Sequence, residues 1–296
     1  VDPANAARTQ LFEPAACNWS ALLLDAFQVP VSVLPHCVPT RHLYGTMPVG
    51  RWSVPVRACT GDQAAVPFAF GAPAADTAYV NAGTGAFVQR LTNAQDPVPS
   101  GLLRSVLCSE DTTVRYSLEG TVNGAGSAIE WLDERIETDA QRALATLTAP
   151  AGEEPPLFMN GIGGLGAPYW QPRFSTEFLG EGDEISQLRA VVESIAFLLN
   201  VNLALMRSAG PLERIVITGG LAGSDYFCRA LADLSRLTVE RYDLREATAR
   251  GIAYLAGGLP EGWQPVTQER NFIPAAHPAL DARFERWQRE MRQRGA

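Results

Sequence analysis

The feature that most constrains the fold is a long amphipathic helix pattern followed closely by an apolar strand. Apolar residues recur at helical spacing from about Ile185 to Arg207, and the run from Arg214 to Thr218 has the composition of a buried strand. Two further helices are predicted from about Ser224 to Leu237 and from Glu246 to Leu255. Strands mixed with long helices predict a layered α/β domain.

A predicted hairpin with a glycine-rich turn precedes this pattern. Ala75 to Val80 and Ala86 to Leu91 have the character of two strands, which Asn81-Ala82-Gly83-Thr84-Gly85 joins. Where Cβ atoms are missing, consecutive backbone N–H groups can turn towards one point and bind an anion, and the Thr84 hydroxyl adds a donor. The turn could hold the terminal phosphates of a nucleotide, or it could be an ordinary hairpin turn.

Two other stretches of small residues each lead into a predicted helix. Thr218-Gly219-Gly220-Leu221-Ala222-Gly223-Ser224 follows the apolar strand, and Asn123-Gly124-Ala125-Gly126 opens a helix that carries Glu130. A helix N-terminus presents free N–H groups, and missing side chains let a flat ring lie against the backbone. Each stretch alone is equally well explained as a tight connection or as close helix packing. Only the three glycine motifs together favour a nucleotide cleft.

The candidate catalytic residue is Asp62, which lies between Gly61 and Gln63 shortly before the hairpin. Phosphoryl transfer to an alcohol needs a carboxylate near the hydroxyl to accept its proton, and acidic groups to hold Mg²⁺ between phosphates. Asp62 could serve as that base. An aspartate before Ala64-Ala65 is also a good helix N-cap, so the structural role stays open.

Composition narrows the class of protein. The formal net charge of −8 disfavours a nucleic-acid partner, and the one arginine-rich stretch, Arg283 to Arg294, has the helical spacing of a solvated face. No apolar run reaches the roughly 20 residues of a membrane span, so no membrane partner is expected. Five cysteines without a C-x-x-C pair indicate reduced thiols in a cytoplasmic protein.

A dinucleotide site is the rival interpretation. Gly161-Ile162-Gly163-Gly164-Leu165-Gly166 satisfies the G-x-G-x-x-G pattern of such sites. That pattern must open a helix, and Pro168 and Pro172 forbid one here. The sequence therefore disfavours an NAD-dependent oxidoreductase.

Several stretches, in order along the chain, together carry a family resemblance. Asp2-Pro3-Ala4-Asn5-Ala6-Ala7-Arg8-Thr9 is similar to D-x-x-N-A-x-R-T, and Gly61-Asp62-Gln63 to G-D-Q. The others are Ala82 to Phe87, Gly166 to Trp170, Thr218-Gly219-Gly220 and Ala249 to Gly257, which are similar to Y-G-T-G-x-F, F-A-P-Y-W, D-G-G and T-A-x-G-A-A-Y-L-A-G. These are motifs of the FGGY family of carbohydrate kinases, and the chain most resembles the glycerol kinases within it.

The resemblance implies an actin-like, ribonuclease H-like ATPase fold, with a mixed sheet, helices on both faces, and ATP and Mg²⁺ bound in a cleft. It implies that Asp62 is the general base and helps to hold the metal, and that Gln63 and Phe87 face a small polyol or sugar, with glycerol favoured. The implied nucleotide-binding residues are Gly83, Thr84, Gly85, Gly126, Glu130, Gly219, Gly220 and Ser224. Glycerol kinases usually have Gln at the position of Glu130 and Asn at that of Ser224.

The resemblance also implies a division of the chain. Residues 1–59 would be the tail of an N-terminal sugar-binding domain, 60–258 a nucleotide-binding domain, and 259–296 an extension with a terminal helix. The Asp-x-Gly-Thr phosphate loop of family members is not in this sequence, so the chain is expected to be a C-terminal part that is inactive alone. A nucleotide-binding module without catalysis and a kinase of another sugar, such as a ketopentose, stay open, as does a homo-oligomer.

Overall fold

The structure is a computed structural model that describes residues 1–148 and 154–296. In these ranges the helices are α1 (Pro3–Arg8), α2 (Ala21–Ala26), α3 (Asp62–Ala65), α4 (Gly126–Asp133), α5 (Ala140–Leu144), α6 (Glu184–Ser208), α7 (Asp225–Ser235), α8 (Ala247–Ala256) and α9 (Pro278–Gln293). The strands are β1 (Phe12–Glu13), β2 (Asn18–Trp19), β3 (Arg41–Val49), β4 (Trp52–Ala58), β5 (Thr77–Ala82), β6 (Ala86–Thr92), β7 (Leu103–Ser109), β8 (Val114–Val122), β9 (Leu157–Met159), β10 (Glu177–Leu179), β11 (Arg214–Thr218), β12 (Thr238–Tyr242) and β13 (Gln268–Phe272).

A seven-stranded mixed sheet organises the molecule, in the order β13-β12-β11-β5-β6-β8-β7. β11 runs parallel to β5 and β12, whereas β6 is antiparallel to both β5 and β8. Because β5, β8 and β11 therefore point the same way, they end together where β6 begins. We call this the loop end of the sheet, and Ala82, Ala86, Val122 and Thr218 mark it.

One face of the sheet is covered by α6 and α7, and α9 packs against α7 and β9. Ala78 and Val80 of β5 and Ile215 and Ile217 of β11 are fully buried there, in one cluster with the apolar side of α6. α6 is long and apolar enough to cross a membrane by length and composition, the one such helix among the described residues. In the most apolar 18-residue stretch of α6, 72% is buried inside the fold, which is also typical of a core helix.

The opposite face is covered by α3, α8 and the 3-10 turn Val66–Phe70. Phe68 of that turn packs with Tyr254 and Leu255 of α8 in a second buried cluster. α8 approaches so closely that a Cβ on Gly251 would overlap the carbonyl oxygen of Ala65. Helices therefore lie on both faces of a mixed sheet, as expected.

In the first 58 residues, more of the large apolar side chains are exposed to solvent than in the rest of the described chain. α1 packs against β7, and Arg8 Nη2 donates to Glu119 at 2.8 Å. In contrast, large apolar side chains are exposed in and directly after α2, in the turn Val31–Val33 and in the β3–β4 hairpin. They are Leu22, Phe27, Val31, Val33, Leu43, Met47, Val49, Trp52 and Val54.

The structure confirms most predicted elements and corrects two points. The β5–β6 hairpin pairs as predicted, and α6, α7, α8 and β11 lie within a few residues of their predicted bounds. Sequence reasoning missed β7 and β8, because the buried polar side chains Ser117 and Glu119 interrupt the apolar alternation of β8. It was also wrong about Arg283, which is buried because its guanidinium pairs with the buried Glu193 at 2.8 Å.

Candidate functional site

The predicted phosphate turn, Gly83 to Gly85, projects from the loop end of the sheet. Gly83 N donates to Gly85 O at 2.9 Å, which closes the turn. In the described part of the chain, the backbone N–H groups of Thr84 and Gly85 and the Thr84 hydroxyl have no hydrogen-bond partner. Thr84 is exposed. These donors are therefore free to bind an anion.

The N-terminus of α4 packs directly against this turn. The amides of Gly126 and Ser127 donate to the carbonyls of Gly83 and Thr84, at 2.8 and 3.0 Å. A Cβ on Gly126 would stand 2.7 Å from Gly83 O. The first amides of α4 thus support the turn and are not free for a phosphate. Glu130, one helical turn further on, is exposed, and its carboxylate has no hydrogen-bond partner among the described residues.

The glycine loop after β11 lies against the end of β5. Gly219 has φ +91°, and a Cβ there would overlap the carbonyl oxygen of Ala82, so only glycine fits. Nothing lies within 4 Å of a Cβ built on Gly220 or Gly223, and both are exposed. Ser224 is buried and its Oγ accepts from Phe227 N at 3.4 Å, as the N-cap of α7. The loop therefore offers open backbone, and the Ser224 oxygen serves the helix.

Asp62 begins α3 and is exposed. The N-cap of α3 is Gly61, so Asp62 occupies the first helical position and is not the cap. Its Oδ1 accepts from Gln63 N at 2.8 Å, and its backbone oxygen accepts from Thr248 Oγ1 of α8 at 3.4 Å. Asn5 Oδ1 of α1 lies 3.7 Å from a Cβ built on Gly61. α1 and α8 therefore both lie against the segment that presents this carboxylate.

A short hydrogen-bonded chain joins Gln63 to the ends of β5 and β11. Asn81 Nδ2 donates to Gln63 Oε1 at 3.2 Å, and Thr218 Oγ1 lies 3.3 Å from Asn81 Oδ1. Phe87 lies opposite Asn81 in the β5–β6 register, so both side chains point to the α3 face. The structure thus brings the carboxylate segment, the phosphate turn and the glycine loop together at the loop end.

Sequence reasoning missed Asn81 and Thr218 as site residues. Both are polar residues at the ends of otherwise buried strands, directly before a small-residue turn. That placement is a usable signal, because a polar side chain at such a position needs a hydrogen-bond partner when the fold covers it.

Metal binding at this site would depend on few protein ligands. The described residues contain no group of three or more His, Cys, Asp or Glu side chains that could hold a metal ion. Mg²⁺ is commonly bound through one or two carboxylates together with phosphate oxygens and water. The exposed Asp62 carboxylate, at the same end of the sheet as the predicted phosphate turn, is compatible with that arrangement.

The cysteines near the site are not activated thiols. Burial raises the pKa of Cys59, three residues before Asp62, and raises the pKa of Cys228 in α7 to about 12. At neutral pH both thiols are protonated, and a thiol is a poor nucleophile compared with its thiolate. Covalent cysteine catalysis is therefore not favoured.

A cavity of about 770 Å³ lies away from this site, between α7, β13 and α9. Its charged side chains are mostly paired with one another, since Arg283 bonds Glu193 and Arg270 bonds Asp225. Tyr226 OH donates to Glu193 at 2.6 Å. Among the described residues, the cavity therefore combines an apolar wall with ion pairs.

The G-x-G-x-x-G stretch is part of the packed structure. No helix follows Gly166 before α6. Added Cβ atoms on Gly161 and Gly166 would overlap the carbonyl oxygens of Phe174 and Thr121. The loop lacks the helix N-terminus that a dinucleotide pyrophosphate needs, which agrees with the sequence prediction.

Comparison with known proteins identifies related sequences over nearly the whole chain. Residues 78–258 match the C-terminal domain of the FGGY family of carbohydrate kinases. The chain is 32% identical over 278 residues to the glycerol kinase of Shewanella oneidensis, covering 90% of this chain and 56% of that protein. It is 33% identical over 275 residues to the glycerol kinase of Halothermothrix orenii, with coverages of 89% and 55%. The chain thus spans little more than half the length of these relatives.

Solved structures share the fold. A Plasmodium falciparum glycerol kinase with ADP aligns with a TM-score of 0.80 at 22% identity, over 99% of this chain and 63% of that one. A xylulose kinase from Lactobacillus acidophilus aligns with a TM-score of 0.77 at 19% identity, over 99% and 64%. At such identities the likeness establishes the actin-like ATPase fold and nothing about substrates.

Proposed function

The chain belongs to the FGGY family of carbohydrate kinases, and from this premise we propose that the protein transfers the terminal phosphate of ATP to a hydroxyl of a small polyol or sugar. Glycerol is the favoured acceptor, because the relatives that are about a third identical are glycerol kinases. The observation that carries the proposal is the meeting of three segments at the loop end of the sheet. They are the free donors of Thr84 and Gly85, the open backbone at Gly220 and the exposed carboxylate of Asp62.

The nucleotide would lie along the two glycine-rich loops. The free amides of Thr84 and Gly85 fit its terminal phosphates, and the bare backbone at Gly220 and Gly223 fits its adenosine. Gly126 and Gly219 support these surfaces through close packing against Gly83 and Ala82. Bound ATP would supply the phosphoryl group, and Mg²⁺ held in part by Asp62 would offset its negative charge.

Asp62 is proposed as the general base. Its carboxylate is exposed at the first position of α3 and accepts one backbone hydrogen bond from Gln63, which leaves its second oxygen free. As the acceptor hydroxyl oxygen forms its bond to phosphorus, the hydroxyl proton passes to this carboxylate. The bond from phosphorus to the departing ADP oxygen breaks in the same transfer. Gln63 and Phe87, on the same side of the sheet, are proposed to contact the acceptor.

We further propose that the chain divides at residues 59 and 258, that the protein is cytoplasmic, and that this chain alone is inactive. β13 and α9 extend the main sheet and core, so residues 259–296 pack onto the domain they follow. The exposed apolar side chains before residue 59 support the view that this segment packs against further protein.

The test is a phosphoryl-transfer assay of the whole protein with ATP, Mg²⁺ and a panel of acceptors that includes glycerol and D-xylulose. We expect glycerol to give the highest kcat/KM. A ketopentose with a higher kcat/KM would reassign the substrate. If ADP raises the melting temperature but no acceptor is phosphorylated, the protein is a nucleotide-binding module and the proposed activity is wrong.

A further inference from the structure

We propose that Asn81 is a positioning residue, which holds the Gln63 carboxamide so that its Nε2 donors face the acceptor hydroxyl. The effect on the acceptor rests on the proposed kinase function. The position of the Gln63 side chain rests on the hydrogen-bonded chain from Gln63 to Thr218. Neither Asn81 nor Thr218 is itself required to touch a substrate. Their role would be to orient a side chain that does.

The strand register places the three side chains in one line. Asn81 of β5 and Thr218 of β11 are direct partners in the parallel ladder, so their side chains point to the same face. That face is the one covered by α3, since the neighbours Val80 and Ile217 point into the core on the α6 side. Gln63, in α3, lies directly above Asn81, with 3.2 Å between Asn81 Nδ2 and Gln63 Oε1.

The structure gives the two carboxamides one relative orientation. Thr218 Oγ1 lies 3.3 Å from both Asn81 Oδ1 and Val80 O, and its hydroxyl can donate to either oxygen. With its oxygen turned to Thr218, Asn81 presents its Nδ2 donors to Gln63. Gln63 Oε1 accepts one of them, which uses one of its two acceptor sites. Gln63 Nε2 has no acceptor in the described part of the chain, so its two donors remain available.

This orientation complements the neighbouring base. An alcohol hydroxyl has one proton to donate and two lone pairs that accept. The adjacent Asp62 carboxylate can only accept hydrogen bonds while it is ionised, so it accepts the proton of the hydroxyl. Gln63 Nε2 then donates a hydrogen bond to a lone pair of the hydroxyl oxygen. With the opposite carboxamide orientation, two acceptors would compete for a single proton, and one would be left without a hydrogen bond.

The same chain ties acceptor binding to the nucleotide loop. Thr218 is buried and immediately precedes Gly219, whose backbone packs against Ala82 at the end of β5. Asn81 in turn precedes Ala82 and the phosphate turn. The orientation of Gln63 is therefore set by the two strand ends from which the proposed nucleotide-binding loops emerge.

The test uses near-isosteric variants of the whole protein, namely Asn81→Leu, Gln63→Met and the double variant. We expect Asn81→Leu to raise the KM for glycerol by about tenfold, since one donor to the hydroxyl is no longer held in place, with kcat changed less. ADP affinity should stay within about twofold. The double variant should match Gln63→Met alone, because Asn81 acts through Gln63.

Thr77→Val is the matched control. Thr77 is buried at the opposite end of β5, where its hydroxyl donates to Asp76 at 2.9 Å and accepts from Arg214 at 3.0 Å. Its replacement should cost stability without raising the KM for glycerol. Equal rises in KM for Thr77→Val and Asn81→Leu, or additive effects of Asn81→Leu and Gln63→Met, would show that Asn81 is merely structural.

A second measurement is independent of activity. In ¹⁵N spectra of this chain, Gln63→Met should shift the side-chain amide resonance of Asn81, whereas Thr77→Val should leave it in place. If the Asn81 side-chain resonance does not shift in Gln63→Met, the inference is overturned, whatever the protein phosphorylates. If that resonance does shift but the wild-type protein phosphorylates no acceptor, the proposed function fails while the Asn81–Gln63 contact stands.

Discussion

Two glycine-rich loops of this protein have similar sequences and opposite environments. The loop Gly161 to Gly166 is filled by protein, since added Cβ atoms on Gly161, Gly164 and Gly166 would all meet backbone of other segments within 3 Å. In the loop from Gly219 to Gly223, only Gly219 is packed in this way. Gly220 and Gly223 face open space. In the first loop glycine permits close packing, and in the second it also leaves backbone open to a ligand.

The difference shows why a glycine motif alone is a weak functional signal. The closed loop satisfies a nucleotide-binding pattern, yet its missing side chains are replaced by the backbone of residues 121, 171 and 174. The open loop has no such neighbour at Gly220. Substitutions in the closed loop should therefore change stability, and those in the open loop should change binding.

The largest expected effect is on stability, in the closed loop. Gly166→Ala would drive a methyl group into the carbonyl oxygen of Thr121, and neither backbone can move without disturbing β8. We expect a loss of about 3 kcal/mol in the free energy of unfolding, measured by urea denaturation. Gly262→Ala, at an exposed glycine with nothing within 4 Å, is the control and should change little. Equal stabilities of the two variants would contradict the assignment of a closed loop.

The next effect is on turnover, beside the open loop. Asp62→Asn keeps a hydrogen-bond acceptor for Gln63 N but lacks the proton affinity of a base. In the whole protein we expect kcat to fall by about 10² or more, with the melting temperature and ADP affinity almost unchanged. If kcat stays near normal, or falls only in proportion to lost folded protein, Asp62 is structural and the base must be sought elsewhere.

The smallest effect is on binding, within the open loop. Gly220→Val should place a side chain where the proposed adenosine lies and weaken ADP binding by at least about tenfold in calorimetry. Its stability should change little, because a Cβ there meets no neighbour. Gly262→Val, an equally open glycine outside the site, controls for the added apolar surface. ADP affinity that is the same in both variants would remove Gly220 from the nucleotide site.

The sequence predicted the elements and motifs of the fold better than the contacts of the site. The hairpin, α6, β11 and the helices after it follow from hydrophobic period and glycine position, which act over a few residues. The resemblance in motif order predicted the family and the actin-like fold. The roles of Asp62, Glu130 and Ser224 remain predictions, although the structure shows that the Ser224 oxygen caps α7.

Arg283 illustrates the limit of local pattern. Its spacing with the other arginines of α9 is that of a solvated face, and Arg286 and Arg289 are indeed exposed. Arg283 instead meets Glu193, ninety positions away in the chain, and the two charges are buried together. A single sequence does not reveal a partner at that separation, and burial of a charge depends on the partner.

The sequence by itself determined where the β5–β6 hairpin, β11, the helices α6 to α8 and the glycine turns occur, because those choices depend on neighbouring residues. Only the tertiary structure decided which glycines are packed and which are open, and that Asn81 meets both Gln63 and Thr218. Thr218 is 137 residues from Asn81, and the two are joined by the parallel pairing of β5 with β11. The physical reason is that open space and hydrogen-bond partners depend on segments brought together from distant parts of the chain.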